Sequence, residues 1–190
     1  MYRSMRLAQY GNPQNSMKQL YVYDFDKTIV PYDSYNRYLR HLFLLRPITM
    51  GILLVLRKMR ILSSRVLKQD VTAIVEHSRL LQKDARHFAS RLMYDITLLH
   101  HNEKDIQIVL LSASPKVYLK YVAEMLQCQL ICSDTIDGTY VEMYGEIKKQ
   151  YLHQRFPRDK YQYTYALSDS QSDMCWMQEF AHYEILGEEK

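Results

Sequence analysis

The sequence predicts an α/β protein: a doubly wound parallel sheet with an all-helical domain inserted between its first two strands. Short apolar runs alternate with helical patterns, as they do when parallel strands are joined by crossover helices. The first two runs are separated by about seventy residues of helical texture, far beyond an ordinary crossover. The first run ends abruptly in acidic residues, at the edge where open α/β sheets bind ligands. With 190 residues, 47% of them hydrophobic, and a net charge of +4, the chain can bury a sizeable core and lacks the composition of a disordered protein.

Residues 1–16 are polar, with Gly11 and Pro13, and read as a disordered extension with no apolar core of a secretory signal. Met17 is a second candidate start. Cys128, Cys132 and Cys175 are an odd number of cysteines in a chain that needs no covalent staples, which favours a reducing compartment and a cytoplasmic protein. Cys128 and Cys132 lack the second pair that a zinc site requires.

The first strand is expected over 19–24, from its β-branched and aromatic residues. Asp33 or Ser34 caps a helix running to Arg46, which Pro47 stops, and 47–60 forms a second. Ser63 or Ser64 starts a third, with Val66, Leu67, Val71, Ile74 and Val75 at helical spacing. A fourth is expected over 83–101, carrying Phe88, Leu92, Ile96 and Leu99. These helices make a cap domain over 31–106, and 17–30 with 107–190 makes the core domain. The second strand is the nearly continuous apolar run 106–111. Ser114 then caps a helix with Pro115 in its first turn. Shorter strands are expected at 130–132, 163–167 and 183–186, and Asp137-Gly138 marks a hairpin flap.

Asp24 and Asp26 leave the first strand together. Two acids two residues apart can enter one cleft in different environments, one ionised as a nucleophile and one protonated as an acid. The plainer alternative is a polar strand exit. Ser112, at the end of the second strand, is a hydroxyl that capping does not need, beside helix N–H groups suited to phosphate oxygens. Asp169 and Asp173 bring two more carboxylates to this edge, where they would repel the first pair unless a cation intervened. Oxygen donors of this kind favour Mg²⁺ with several waters. Taken alone, Asp169 also reads as a helix cap with Asp173 in the first turn. Lys148 and Lys149 offer a compact charge to balance a phosphate.

In order along the chain, Asp24-x-Asp26-x-Thr28, Ser112, Lys148 and Asp169-x-x-x-Asp173 resemble the four motifs of the haloacid dehalogenase-like (HAD) superfamily. The resemblance spans nearly all of residues 19–187 and implies a Rossmann-like core. Asp26 at its position is similar to the phosphatases of that superfamily and not to the dehalogenases. The helical insertion between motifs one and two resembles the phosphoserine-phosphatase-like branch. Ser112-Ala113-Ser114-Pro115, Tyr144-Gly145-Glu146-x-Lys148 and Ser168-Asp169-Ser170-x-x-Asp173 resemble its small bacterial hydrolases, some of them phosphatidylglycerophosphatase-like. The Gly145-Glu146-x-Lys148 spacing selects Lys148 over Lys149. Ser168 departs from the glycine that many relatives carry.

The resemblance implies Mg²⁺-dependent phosphomonoester hydrolysis through a phospho-aspartyl intermediate. Asp24 would be the nucleophile and Asp26 the acid and base. Lys148, Ser112 and Ala113 would hold the phosphoryl group, and Thr28 would orient the loop and touch phosphate. Asp24, Asp169 and the Asp26 carbonyl would hold the metal, with Asp173 acting through a water. Asp33 stands where the branch places an acid that recognises a substrate amine, and it is equally the natural N-cap of the first cap helix.

The expected substrate is a small phosphorylated metabolite or a lipid head group. The apolar run from Pro47 to Leu56, ten residues long, is too short to span a bilayer. Arg40, Arg46, Arg57, Lys58 and Arg60 border it, so it reads as cap core or as a face resting on anionic lipid. A retired phosphate-binding or partner-binding module is the alternative, but such proteins usually lose an essential carboxylate and all four are present. Basic residues are too dispersed for nucleic acid. His100-His101 reads as the end of the fourth helix, where histidine suits the helix dipole.

Overall fold

The computed structural model describes residues 17–99 and 105–187. The expected extension 1–16 and the His100-His101 pair lie outside the described residues. The chain forms β1 (Lys18–Tyr23), then four helices, α1 (Ser34–Leu45), α2 (Pro47–Lys58), α3 (Ser64–Glu76) and α4 (Arg79–Ser90). It continues through β2 (Ile106–Pro115), α5 (Lys116–Met125), β3 (Gln129–Ile136), β4 (Thr139–Val141) and α6 (Glu146–Arg155). β5 (Tyr161–Ser168), α7 (Met174–Met177) and β6 (His182–Ile185) complete it.

The strands lie in the order β4-β3-β2-β1-β5-β6, parallel except for the antiparallel β3–β4 pair. The chain winds from β1 to one side and later to the other, so a crevice opens beyond the carboxyl end of β1. Along the central strands, side chains alternate between two buried faces. Tyr21, Tyr23, Ile108 and Leu110 enter one apolar cluster, while Leu20, Val22, Val109 and Leu111 enter the other. The flap turns at Asp137 and Gly138 with φ of 48° and 75°, the two positive values that a type I′ hairpin requires.

Two helix boundaries differ from expectation. α4 covers Arg79–Ser90 and not 83–101, because the Ser78 hydroxyl accepts the Leu81 N–H at 3.4 Å and starts the helix early. Beyond it, Asp95 donates its N–H to the Ile29 carbonyl at 2.8 Å, a tertiary bond that holds the chain away from the helix axis. At the start of α5, Pro115 takes the N-cap position without a side-chain cap bond, and Ser114 is free for another partner.

The inserted helices do not bury a core of their own. Tyr38, Leu39, Leu42, Val71 and Phe88 from the insertion share one cluster with Leu110 of β2 and with Tyr118 and Leu119 of α5. The Phe88 ring lies 4.9 Å from Tyr38 and 5.5 Å from Tyr118, and the Ser34 and Tyr118 hydroxyls meet at 2.8 Å. Insertion and sheet should therefore unfold together. Phe88→Ala is expected to cost about 3–5 kcal/mol and to shift the whole denaturant transition. Trp176, buried on the opposite face of the sheet, is the fluorescent reporter. An early transition that left Trp176 emission unchanged would show an independently unfolding insertion.

Candidate active site

At the end of β1 the Asp24 N–H donates to the Leu167 carbonyl of β5 at 2.9 Å, which keeps Asp24 against the sheet as the chain turns away. The N–H groups of Thr28, Ile29 and Val30 then converge on the Phe25 carbonyl. Lys27, with φ of 57°, takes the left-handed conformation that tightens this turn. Asp26 is thereby swung back beside Asp24. Thr28 is buried in the turn with its hydroxyl unpartnered, and it does not reach the cavity wall.

Asp26 is held from two directions. Its Oδ1 accepts the Ser34 N–H at 2.6 Å, and its Oδ2 accepts the Ser114 hydroxyl at 2.5 Å. Burial pushes this carboxyl above its ordinary range, and the hydrogen bonds from Ser114 and Ser34 oppose the shift without cancelling it. Such a group suits a proton donor. The Ser112 hydroxyl, fully enclosed, accepts the Ser114 N–H at 3.1 Å.

Lys148 is 3% exposed. Its Nζ lies 2.9 Å from Asp24 Oδ1 and 2.8 Å from Asp173 Oδ2. Burial works against the ammonium, but Asp24 and Asp173 hold its pKa above the usual value. Lys149 faces outward and pairs with Glu179 at 2.9 Å. Burial pushes Asp24 up to about 7; Lys148 pulls against this and the Asp173 charge adds to it. The Asp173 carboxylate also accepts the Ser168 hydroxyl at 2.7 Å. A glycine at position 168 would have no donor to offer.

A cavity of about 580 Å³ opens over these groups. Asp24, Asp26, Ser112, Lys148, Asp169 and Asp173 all line it, and Ala113 and Asp33 lie on its wall. Asp33 is the N-cap of α1. Both its carboxylate oxygens are engaged by Asn36, one by the backbone N–H and one by the side-chain amide, each at 2.7 Å. A larger cavity of about 740 Å³ lies away from this edge, beside α5, β3 and α6, and none of the four acids reaches it.

Three contributors went unread in the sequence. Ser114 serves Asp26 and not its own helix, and nothing local announced this, because Ser-Pro before an apolar stripe reads as cap and first turn. Ser34 gives Asp26 its backbone N–H. Lys68 of α3 donates to the Ala113 carbonyl at 3.0 Å and to Glu142 at 2.6 Å, tying the insertion to the end of β2 and to the residue after β4. On an amphipathic helix such a lysine looks merely solvated.

Among the described residues no three acidic, histidine or cysteine side chains converge as a closed metal cage. Asp173 is already engaged by Lys148 and Ser168. Asp24, also held by Lys148, and Asp169 share the cavity wall with it, oxygen donors of the kind that suit a hard ion keeping several waters. Burial raises the Asp24 pKa, and the Asp173 and Asp26 charges add to it against the pull of Lys148; a bound cation would favour the ionised form. The residues present fit Mg²⁺.

The haloacid dehalogenase-like hydrolase family model matches residues 21–178. No curated protein matches the chain. A Bordetella pertussis protein of unknown function superposes with a TM-score of 0.67 at 17% identity, over 88% of this chain and 89% of that one. A HAD family hydrolase from Salmonella enterica serovar Typhi gives 0.55 at 12%, over 86% of this chain and 61% of that one. An apo phosphoserine phosphatase gives 0.53 at 13%, over 87% and 84%. Identities this low speak for the fold, and the matched family model speaks for descent: the chain belongs to the haloacid dehalogenase-like hydrolases and has the architecture of their phosphoserine-phosphatase-like branch.

Proposed function

We propose that the protein is a Mg²⁺-dependent phosphomonoester phosphatase working through a phospho-aspartyl intermediate on a small phosphorylated metabolite or lipid head group. The observation that carries this reading is the buried Lys148 bridging Asp24 and Asp173, with Asp26 held alongside at a raised pKa. Asp24 attacks phosphorus. The ester P–O bond breaks as Asp26 protonates the departing oxygen. Asp26 then takes a proton from water, whose oxygen displaces the Asp24 carboxylate and releases inorganic phosphate. Lys148 and Ser112 stand where the phosphoryl oxygens would gather charge. Mg²⁺ held by Asp24, Asp169 and the Asp26 carbonyl would supply further positive charge to that group and favour an ionised Asp24.

Chelation with EDTA is expected to bring hydrolysis of p-nitrophenyl phosphate to background, and added Mg²⁺ to restore it. Full turnover in the presence of EDTA would overturn the metal requirement. The role of Asp26 has a sharper test. Ser114→Ala removes one of the bonds that hold it, so kcat on an alkyl phosphate should fall about tenfold. With p-nitrophenyl phosphate, whose leaving group needs no proton, the pre-steady-state burst of p-nitrophenol that precedes the water step should keep nearly its wild-type rate. A burst slowed as much as turnover of the alkyl phosphate would remove the role of Ser114 in positioning the acid.

A further inference from the structure

We propose that the outer face of α2, extended by the end of α1, docks on the surface of a bilayer containing anionic phospholipid. Met50 is the buried residue of α2, and the rest of its apolar side chains are left wholly or partly uncovered. Ile48, Ile52, Val55 and Met59 are 79%, 58%, 56% and 63% exposed, and their spacing of four, three and four residues draws one stripe along the helix. Leu44, 78% exposed, and Ile61, 63% exposed, prolong it at either end. Contiguous apolar surface of this kind marks a place where something binds.

Charge selects the occupant. Between Asp33 and Asp70 the chain carries eight lysines and arginines and no acidic residue. Arg40, Arg46, Lys58 and Arg60 are exposed around the stripe. A second copy using the same face would set these cations against their own counterparts, because a two-fold interface pairs like patches. Anionic head groups satisfy all of them while the stripe enters the acyl boundary. No described helix is long and apolar enough to cross a membrane, so α2 lies in the interface plane. Leu54 and Arg57, on the inward side of α2, line the catalytic cavity. The helix is thus a wall about 10 Å thick between that cavity and the lipid. Docking brings the site to the surface without filling it, and it does not depend on the phosphatase reading.

The test is co-sedimentation of the full chain with vesicles of phosphatidylcholine and phosphatidylglycerol at about seven to three, against phosphatidylcholine alone. Binding is expected to the anionic vesicles at low salt, to weaken as salt screens the cations, and to be at least tenfold poorer on neutral ones. Ile48→Glu with Ile52→Glu should lower the affinity at least tenfold, and Arg46→Glu with Arg60→Glu about as much. Circular dichroism and p-nitrophenyl phosphate turnover of both double variants should match wild type. Failure of the wild type to pellet with anionic vesicles would overturn the proposal. So would undiminished pelleting of the folded Ile48/Ile52 variant, or a wild-type dimer that this variant dissociates while vesicles bind neither. Vesicle binding by a chain that hydrolyses no phosphoester would leave docking intact and sink the enzymatic reading.

Discussion

Asp24→Asn is expected to lower kcat on p-nitrophenyl phosphate by about 10⁴-fold or more, since the amide cannot form the covalent intermediate. The fold should survive. Lys148 keeps its two contacts to Asp173, and the substitution removes one of two carboxylates competing for a single buried ammonium. Burial alone already disfavours the Asp24 charge, so the neutral amide removes a desolvation cost. Thermal unfolding within a few degrees of wild type, or above it, is the accompanying result. Turnover at the wild-type rate would remove Asp24 as nucleophile, and collapse of the fold would contradict the charge balance described here.

Lys148→Met has the opposite character, because it strands two buried carboxylates. Breaking a buried ion pair from one side costs about 3–5 kcal/mol, and loss of the phosphate-facing charge should cost about 10³-fold in kcat as well. Arginine should not rescue activity, since its planar fork does not replace a point charge in so enclosed a place. The double variant Asp24→Asn, Lys148→Met separates the two effects. It should regain about 1–3 kcal/mol relative to additivity while remaining inactive. Chemical denaturation of the four proteins measures this coupling, and strict additivity would show that Lys148 and Asp24 do not share the interaction that their 2.9 Å separation implies.

The strands and the polar residues at their carboxyl ends were legible because the chemistry there is local. A buried strand needs continuous apolar residues, and the polar groups must follow it at once; the first run leads straight into Asp24 and Asp26 and 106–111 into Ser112, without help from distant residues. Asp137-Gly138 was legible for the same reason. α4 was misjudged because Leu92, Ile96 and Leu99 keep helical spacing past Ser90, and nothing local announces the Asp95–Ile29 backbone bond that diverts the chain. Lys68 and Ser114 were illegible as site residues since their partners lie 45 and 88 positions away. Ser168 was visible as an unusual residue. Its use became clear only with the Asp173 carboxylate beside it.

The continuous core beneath the inserted helices limits how substrate can enter. Swinging the insertion outward as a rigid body would carry Tyr38 and Phe88 away from Tyr118 and wet an aromatic cluster at the cost of several kcal/mol. α2 is anchored more lightly, by Met50 and the half-buried Leu53 and Leu54. The cheapest breathing motion is therefore a local lift of that one helix against a fixed frame. Ligand exchange should then be fast compared with any unfolding of the cap, and the access rate should respond to residues at position 50 much more than to those at the junctions near 31 and 106.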